Sequence, residues 1–206
     1  MSEVTRSMEA TSGATAARVA RRRVAVPNGV WGAALFIATE AALFGTLFAT
    51  YYYLRFNAPH WPPPGVENPK VLLPVILTAI LVSTTIPVFF AGRAAHAGNA
   101  RLAWILFFVA LLIQGGYFGV QVHEFLSDLH KFPPSESAYA SIYFTLLGAH
   151  HAHVVVGMLI ELWVLGKLLG GLTNYRLIGV RVATYYWYFV NLLAIGVLLT
   201  QIYPSL

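Results

Sequence analysis

The sequence predicts an all-α membrane protein, built as a bundle of five transmembrane helices. Hydrophobic residues make up 58% of the 206 residues, and charged residues make up only 10%. Soluble domains carry about 25% charged residues and would need polar faces to cover so much apolar surface, a need that a lipid bilayer removes. The chain also contains apolar stretches of roughly 20 residues, the length that a helix needs to cross a bilayer.

The predicted spans follow one another in a single domain over residues 27–206. They are Val30–Leu54, Val71–Ala91, Leu102–Val122, Tyr139–Leu165 and Val182–Tyr203. Residues 1–26 are polar and Arg-rich, and they lack the short apolar core and cleavage site of a secretory signal. We expect this segment to be a mobile, basic cytoplasmic tail that suits anionic lipid headgroups.

The positive charges predict the orientation of the bundle. With the N-terminus inside, ten of the 13 Lys and Arg side chains fall in cytoplasmic segments. Those ten are Arg6, Arg18, Arg21, Arg22, Arg23, Arg93, Arg101, Lys167, Arg176 and Arg181; the outer segments hold only Arg55, Lys70 and Lys131. Because Lys and Arg accumulate in cytoplasmic loops, we expect a cytoplasmic N-terminus and an outer C-terminus. The net charge of +5 then reflects topology and gives no reason to expect a nucleic-acid partner.

Several classes of function are excluded by what the sequence lacks. It has no cysteine, so it has neither disulfides nor thiolate metal sites. It has no GxxxxGKS phosphate loop and no Gly-rich dinucleotide turn after a strand. The outer loops, PHWPPPGVENPK and SDLHKFPPSES, are short and rich in proline. Any function must therefore reside within the helical bundle.

The tryptophans are predicted to be anchors. Trp31, Trp61, Trp104 and Trp187 lie near the ends of predicted spans, where indole rings contact the headgroup region, and Trp163 does the same for the fourth span. No functional role is therefore predicted for them.

Glu40 is the most unusual residue of the first span. It lies about ten residues into the span, which is roughly 15 Å along a helix and near the membrane midplane. A carboxyl at this depth is costly, so we expect it to be protonated or hydrogen-bonded. Two interpretations remain open: a packing residue bonded to a neighbouring helix, or a proton-handling residue.

Polar residues form one stripe on each of the third and fourth predicted helices. At about 100° per residue, the members of each stripe share a face. They are Gln114, Tyr117, Gln121 and Glu124 on the third span, and His150, His153, Gly157 and Glu161 on the fourth. We predict a buried polar interior in which these side chains form hydrogen bonds between helices.

The segment GAHHAHVVVG places three histidines in four positions and raises the alternative of a metal or haem site. His150 and His153 have the spacing of a chelating pair, and Glu40 or Glu124 would supply oxygen. The HExxH pattern of zinc proteases is absent, and His151 points to another side of the helix. Spacing alone leaves both metal binding and hydrogen-bonded packing open.

Four segments, in order, resemble subunit III of haem-copper oxidases, the cytochrome c oxidase subunit 3 family. They are WGAALFIATEAALFGTLFATYYYLR at 31–55, GVQVHEF at 119–125, SAYASIYFTLLGAHHAHVVVG at 137–157 and YYWYFVN at 185–191. The five-span length resembles the shorter bacterial form of the family.

The resemblance implies a multi-pass subunit of a terminal respiratory oxidase in a bacterial inner membrane, with no catalytic centre, metal or haem of its own. Its partners would be the haem- and copper-containing catalytic subunit I, subunit II, phospholipids and a respiratory supercomplex. The complex would reduce oxygen to water and pump protons. This subunit would stabilise the catalytic subunit, support proton uptake and hold phospholipid in a cleft between the first two helices and the other three. Glu40 occupies the position of the family Glu associated with that cleft.

Three residues depart from the family motifs. His151 replaces the Gly of HGxH, and Tyr188 and Asn191 stand where His and Asp are typical. The loss of that ionisable pair argues against proton transfer by the last helix. We expect His151 to contact a neighbouring chain, because it points away from the other two histidines.

Two other functions also fit the residues. One is an accessory subunit of a related haem-copper enzyme such as a nitric oxide reductase. The other is an independent proton or metal transporter built on Glu40 and the histidines.

Overall fold

The computed structural model describes residues 27–66 and 70–202, and these residues form helices joined by short turns and loops. The helices are α1 (Asn28–Asn57), α2 (Leu72–Ser83), α3 (Thr85–His96), α4 (Ala100–Lys131), α5 (Ala138–Leu168) and α6 (Asn174–Ile202). Counting α2 and α3 as one span, five helices are long and apolar enough to cross a membrane. The predicted all-α bundle of five spans is confirmed; its predicted tail, residues 1–26, and its last predicted residue, Tyr203, lie outside the described residues.

Several helices extend beyond the apolar runs from which they were predicted. Lipid thickness limits the apolar run, whereas capping groups and prolines decide where a helix ends. α4 continues to Lys131, just before the Pro-rich turn. Ser137 caps α5 by accepting a hydrogen bond from the Ala140 amide at 3.1 Å. Thr173 accepts one from the Arg176 amide at 3.2 Å, so α6 begins eight residues before the predicted Val182.

The second span is interrupted at Thr84, between α2 and α3. Pro87 has no amide hydrogen to donate to the preceding turn, which weakens the helix there. The Thr84 hydroxyl donates to the Leu81 carbonyl at 2.6 Å, and the Ser83 hydroxyl donates to Ile80 at 2.7 Å. These local bonds satisfy carbonyls at the interruption, so the span passes through it without a loop.

The second to fifth spans form a four-helix ring, and α1 packs outside it. Within the ring, α4 and α6 lie diagonally opposite each other, and each contacts both α5 and the second span. α1 contacts only α5 and α6 among the described helices. Accordingly, 6% of the most apolar window of α1 is buried, against 50% for α6.

The packing of the described helices does not show the expected cleft between the first two helices and the other three. Within the described residues, α1 makes no close backbone contact with α2 or α3. It is seated instead on α6, where Gly196 leaves room for the ring of Phe48; an added Cβ would lie only 2.7 Å from that ring. Among the described helices, the first and second spans therefore each contact α6 but do not contact each other.

Candidate functional site

Glu40 of α1 and His153 of α5 form a polar contact across the α1–α5 interface. The Oε2 atom of Glu40 lies 2.9 Å from Nε2 of His153. Their side chains are 20% and 13% exposed, respectively, and the ring of Phe44 packs edge-on against His153. The structure thus brings together two of the predicted site residues, both near the middle of their helices.

Hydrogen-bond valence limits how this pair can be protonated. Nδ1 of His153 lies 2.7 Å from the carbonyl oxygen of Ala149, which can only accept, so Nδ1 carries a hydrogen. Nε2 then either accepts from a protonated Glu40 or, as part of an imidazolium, donates to the carboxylate. Both arrangements leave the pair with no net charge, which suits a site at membrane depth. The pair can therefore hold one shared proton.

His150 faces α4, not α1. It is buried, and its Nε2 lies 3.4 Å from the hydroxyl of Tyr117. Because His150 and His153 contact different neighbouring helices, they do not converge on one point. The described residues contain no group of three or more His, Cys, Asp or Glu side chains able to hold a metal.

His151 is buried between α4 and α5. Its side chain packs edge-on against Phe118 and Phe125, with ring centroids 6.0 and 5.4 Å apart. The residue is only 7% exposed, so the expectation that it contacts a neighbouring chain is wrong. It does point away from His150 and His153, but the direction leads into the α4–α5 interface.

Glu161 lies in the interior of the four-helix ring and is fully buried. Its polar neighbours are the amide of Gln114 on α4 and the indole of Trp187 on α6. Neither neighbour reaches good hydrogen-bond geometry, and both carboxyl oxygens lack a partner among residues 27–66 and 70–202. The site is therefore a buried carboxyl among neutral groups, without a cation to balance it.

Trp187 is a core residue, not an interfacial anchor as predicted. It is fully buried and lies against Gly157 of α5, where an added Cβ would come within 2.9 Å of its ring. Gly157 therefore permits the close approach of α5 and α6 that places the indole beside Glu161. Sequence reasoning missed this role because Trp187 sits six residues after the last arginine of the chain, Arg181, where an anchor is ordinary.

A cavity of about 480 Å³ opens where α2, α4, α5 and α6 meet the loop residues Gly65, Val66, Lys70 and Phe132. Gln121 and Glu124 are half-buried and line it, together with Lys70, Asp128, Lys131, Tyr139, Tyr143 and Gln201. Asp128 accepts hydrogen bonds from Lys131 and Tyr143, each at 3.1 Å. Two residues predicted for the polar interior therefore face a cavity at one end of the bundle.

The two departures on α6 have different environments. Asn191 is buried and donates to the Thr85 hydroxyl at 2.8 Å, which ties α6 to the interrupted second span. Its Oδ1 atom has no partner. Tyr188 is half-buried against the core of the four-helix ring. Neither residue joins the Glu40–His153 pair.

Comparisons with known proteins identify the family. The family model described as cytochrome c oxidase subunit III matches residues 11–204. Cytochrome c oxidase subunit 3 of Thermostichus vulcanus is 29% identical over 176 residues, which cover 84% of this chain and 86% of that protein. Quinol oxidase subunit 3 of Bacillus subtilis is 30% identical over 168 residues, covering 79% of each. Cytochrome bo(3) ubiquinol oxidase subunit 3 of Pseudomonas aeruginosa is 31% identical over 174 residues, covering 82% of each.

These matches cover nearly the whole described chain and include all five spans. They confirm the resemblance and favour an oxidase subunit over the two alternatives. They also agree with a multi-pass protein of a bacterial cell membrane that works in complex with other oxidase subunits. The chain belongs to the cytochrome c oxidase subunit III family and is a subunit III of a haem-copper cytochrome c or quinol oxidase.

Proposed function

We propose that this subunit stabilises the catalytic subunit of its oxidase and supports proton uptake through Glu40. The observation that carries the proposal is the Glu40–His153 contact at 2.9 Å. A carboxyl and an imidazole that share one proton can exchange it without placing a net charge in the membrane. Both side chains are partly exposed at the α1–α5 interface, so the pair is not sealed within the bundle.

The proposed orientation has the N-terminus and residues 1–26 on the cytoplasmic side. Residues 27–206 form the single membrane domain. The described cations Arg93, Arg101, Lys167, Arg176 and Arg181 support this orientation, since they cluster at one end of the bundle. The cavity and the Pro-rich loops then face outward.

Subunits I and II and phospholipids are the proposed partners. α1 supports this, because large apolar side chains such as Leu35, Phe36 and Leu43 are 46–66% exposed along it. In a membrane, such a face contacts either another subunit or acyl chains. We propose that phospholipid fills the part of this surface that the catalytic subunit leaves open. In a supercomplex, a neighbouring complex would contact an exposed apolar surface of the same kind.

The test compares Glu40→Gln with Glu136→Gln in the purified complex. Gln keeps a group that can donate to or accept from His153 but removes the exchangeable carboxyl proton. Glu136 is exposed in a loop and serves as the matched control. We expect both complexes to assemble, and we expect only Glu40→Gln to lose activity faster during sustained turnover and to take up protons more slowly.

Normal proton uptake and normal turnover stability in Glu40→Gln would reduce Glu40 to a packing residue. The stabilising role has its own measurement, which compares the complex with and without this subunit. Without it, we expect the catalytic subunit to lose activity sooner and the phospholipid content by mass spectrometry to fall. An unchanged lifetime would contradict the stabilising role and leave the proton-uptake test unaffected.

A further inference from the structure

Glu161 has no role in the function proposed above, yet it is the most deeply buried carboxyl among the described residues. It lies seven residues from the end of α5, in the half of the bundle nearer Lys167. An ionised carboxylate without a cation at this depth costs several kcal/mol. The groups that face it, the Gln114 amide and the Trp187 indole, are both uncharged. We therefore take Glu161 to be a neutral, protonated carboxyl.

A row of polar side chains leads from Glu161 toward the cavity end of the bundle. Gln114 adjoins Glu161, and its side-chain oxygen and nitrogen have no hydrogen-bond partner among the described residues. Tyr117 lies one turn further along α4, with its hydroxyl 3.4 Å from Nε2 of His150. Gln121, another turn along on the same face, lines the cavity. Successive turns of α4, about 5.4 Å apart, thus carry a polar group on the same face.

Toward the other end, the described interior is mostly apolar. Val164, Leu165 and Leu168 of α5 are at most 5% exposed. Phe107 of α4 and Val180 of α6 are equally buried and belong to the same cluster. Thr184 of α6 is buried there as well, but its hydroxyl donates to the Val180 carbonyl at 2.9 Å. Among the described residues, this direction therefore offers no continuous row of polar side chains.

We infer that Glu161 is a protonation site that exchanges its proton with water in the cavity along the polar face of α4, on which the Tyr117 hydroxyl is the group that can accept and donate a proton. Each exchange brings one proton onto the carboxyl and releases one, so the net charge of the interior does not change. The cavity end carries the Pro-rich loops, which is the outer end in the proposed orientation. Glu161 would thus exchange protons with the outer side of the membrane, although in the proposed orientation it lies nearer the cytoplasmic side.

The experiment follows the C=O stretching band of the protonated carboxyl by infrared spectroscopy after transfer of the assembled complex from H₂O to D₂O. Glu161→Gln assigns the band by removing it. Tyr117→Phe deletes one hydroxyl from the polar line and keeps the ring, and we expect it to slow exchange by about tenfold, which corresponds to a barrier raised by roughly the energy of one hydrogen bond. The matched control is Tyr186→Phe, which removes a hydroxyl bonded to the His153 carbonyl at 3.2 Å, outside the line.

Leu165→Ala tests the opposite end by thinning the apolar layer. If protons arrive from the cavity, this variant exchanges at a rate close to that of the unmodified complex. Faster exchange in Leu165→Ala together with an unchanged rate in Tyr117→Phe would overturn the inferred route. Absence of any C=O band that Glu161→Gln removes would overturn the protonated state itself. Haem spectra and turnover check that each variant complex has assembled. A misfolded variant is then not counted for or against the inferred route.

Discussion

Helix α5 takes part in two carboxyl sites. The two sites differ in how the cost of burying the carboxyl is offset. On the face toward α1, Glu40 reaches His153 at 2.9 Å, and the pair keeps some exposure. On the face toward the ring interior, Glu161 is fully buried, and its oxygens have no partner. One site offsets the cost of a carboxyl in the membrane with a specific proton partner. The other relies on protonation and on close packing by neutral groups.

The largest effect is expected at Gly157, where packing at the interior site is tightest. An added Cβ would lie 2.9 Å from Cζ2 and 3.1 Å from Cε2 of Trp187, which is itself fully buried and cannot yield easily. We expect Gly157→Ala to lower the free energy of unfolding by about 3 kcal/mol, as overpacking of a core does. Thermal unfolding of the subunit in the purified complex measures the change.

Gly166→Ala is the matched control on the same helix. An added Cβ there meets nothing within 4 Å, so the better helix propensity of alanine should raise stability slightly, by up to about 1 kcal/mol. Equal effects of the two substitutions would show that α5 and α6 can move apart to accommodate an added Cβ at Gly157. Close packing at Gly157 would then not explain why Trp187 lies in the core.

Glu161→Met is expected to change stability in the opposite direction. Methionine has a similar length, and it removes a carboxyl whose oxygens are buried without partners. Because an unsatisfied buried polar group costs about 1–3 kcal/mol, we expect the unfolding free energy to rise by about 2 kcal/mol. A fall of similar size would mean that the contacts with Gln114 and Trp187 are stronger than their geometry indicates.

Glu40→Met makes the same chemical change at the paired site. It leaves Nε2 of His153 without its only protein partner among the described residues. We therefore expect the unfolding free energy to fall by about 1–2 kcal/mol, by the cost of a lost hydrogen bond. Opposite signs for the two Met substitutions, measured in the same complex, would establish the contrast between the sites, and equal signs would remove it.

The sequence predicted the number of spans, because apolar length is a direct consequence of bilayer thickness. It also predicted that His151 points away from His150 and His153, since this depends only on helix geometry. The sequence did not predict which residue contacts each histidine. His153 contacts Glu40, 113 positions away in the chain, and that contact depends on α1 packing against α5.

The same reason explains the two wrong expectations. Whether His151 meets another chain or Phe118 and Phe125 is decided by the rotation of α4 against α5. Whether Trp187 reaches the interface or the core is decided by the absence of a side chain at Gly157. Periodicity describes the faces of one helix at a time. It contains no information about how α4 is rotated against α5 or about the absence of a side chain at Gly157 on a neighbouring helix.

The smallest effect is the coupling between Glu40 and His153, and a double-mutant cycle isolates it. The variants are Glu40→Gln, His153→Gln and the double substitution. His153 is partly exposed, so water and Gln side chains can replace part of the lost bond, and we expect a coupling of about 1 kcal/mol. A parallel cycle on Glu161 and Gln114 should give a smaller value, because those groups lack good hydrogen-bond geometry. A larger coupling at the interior site would reverse the contrast and make Glu161–Gln114 the stronger pair.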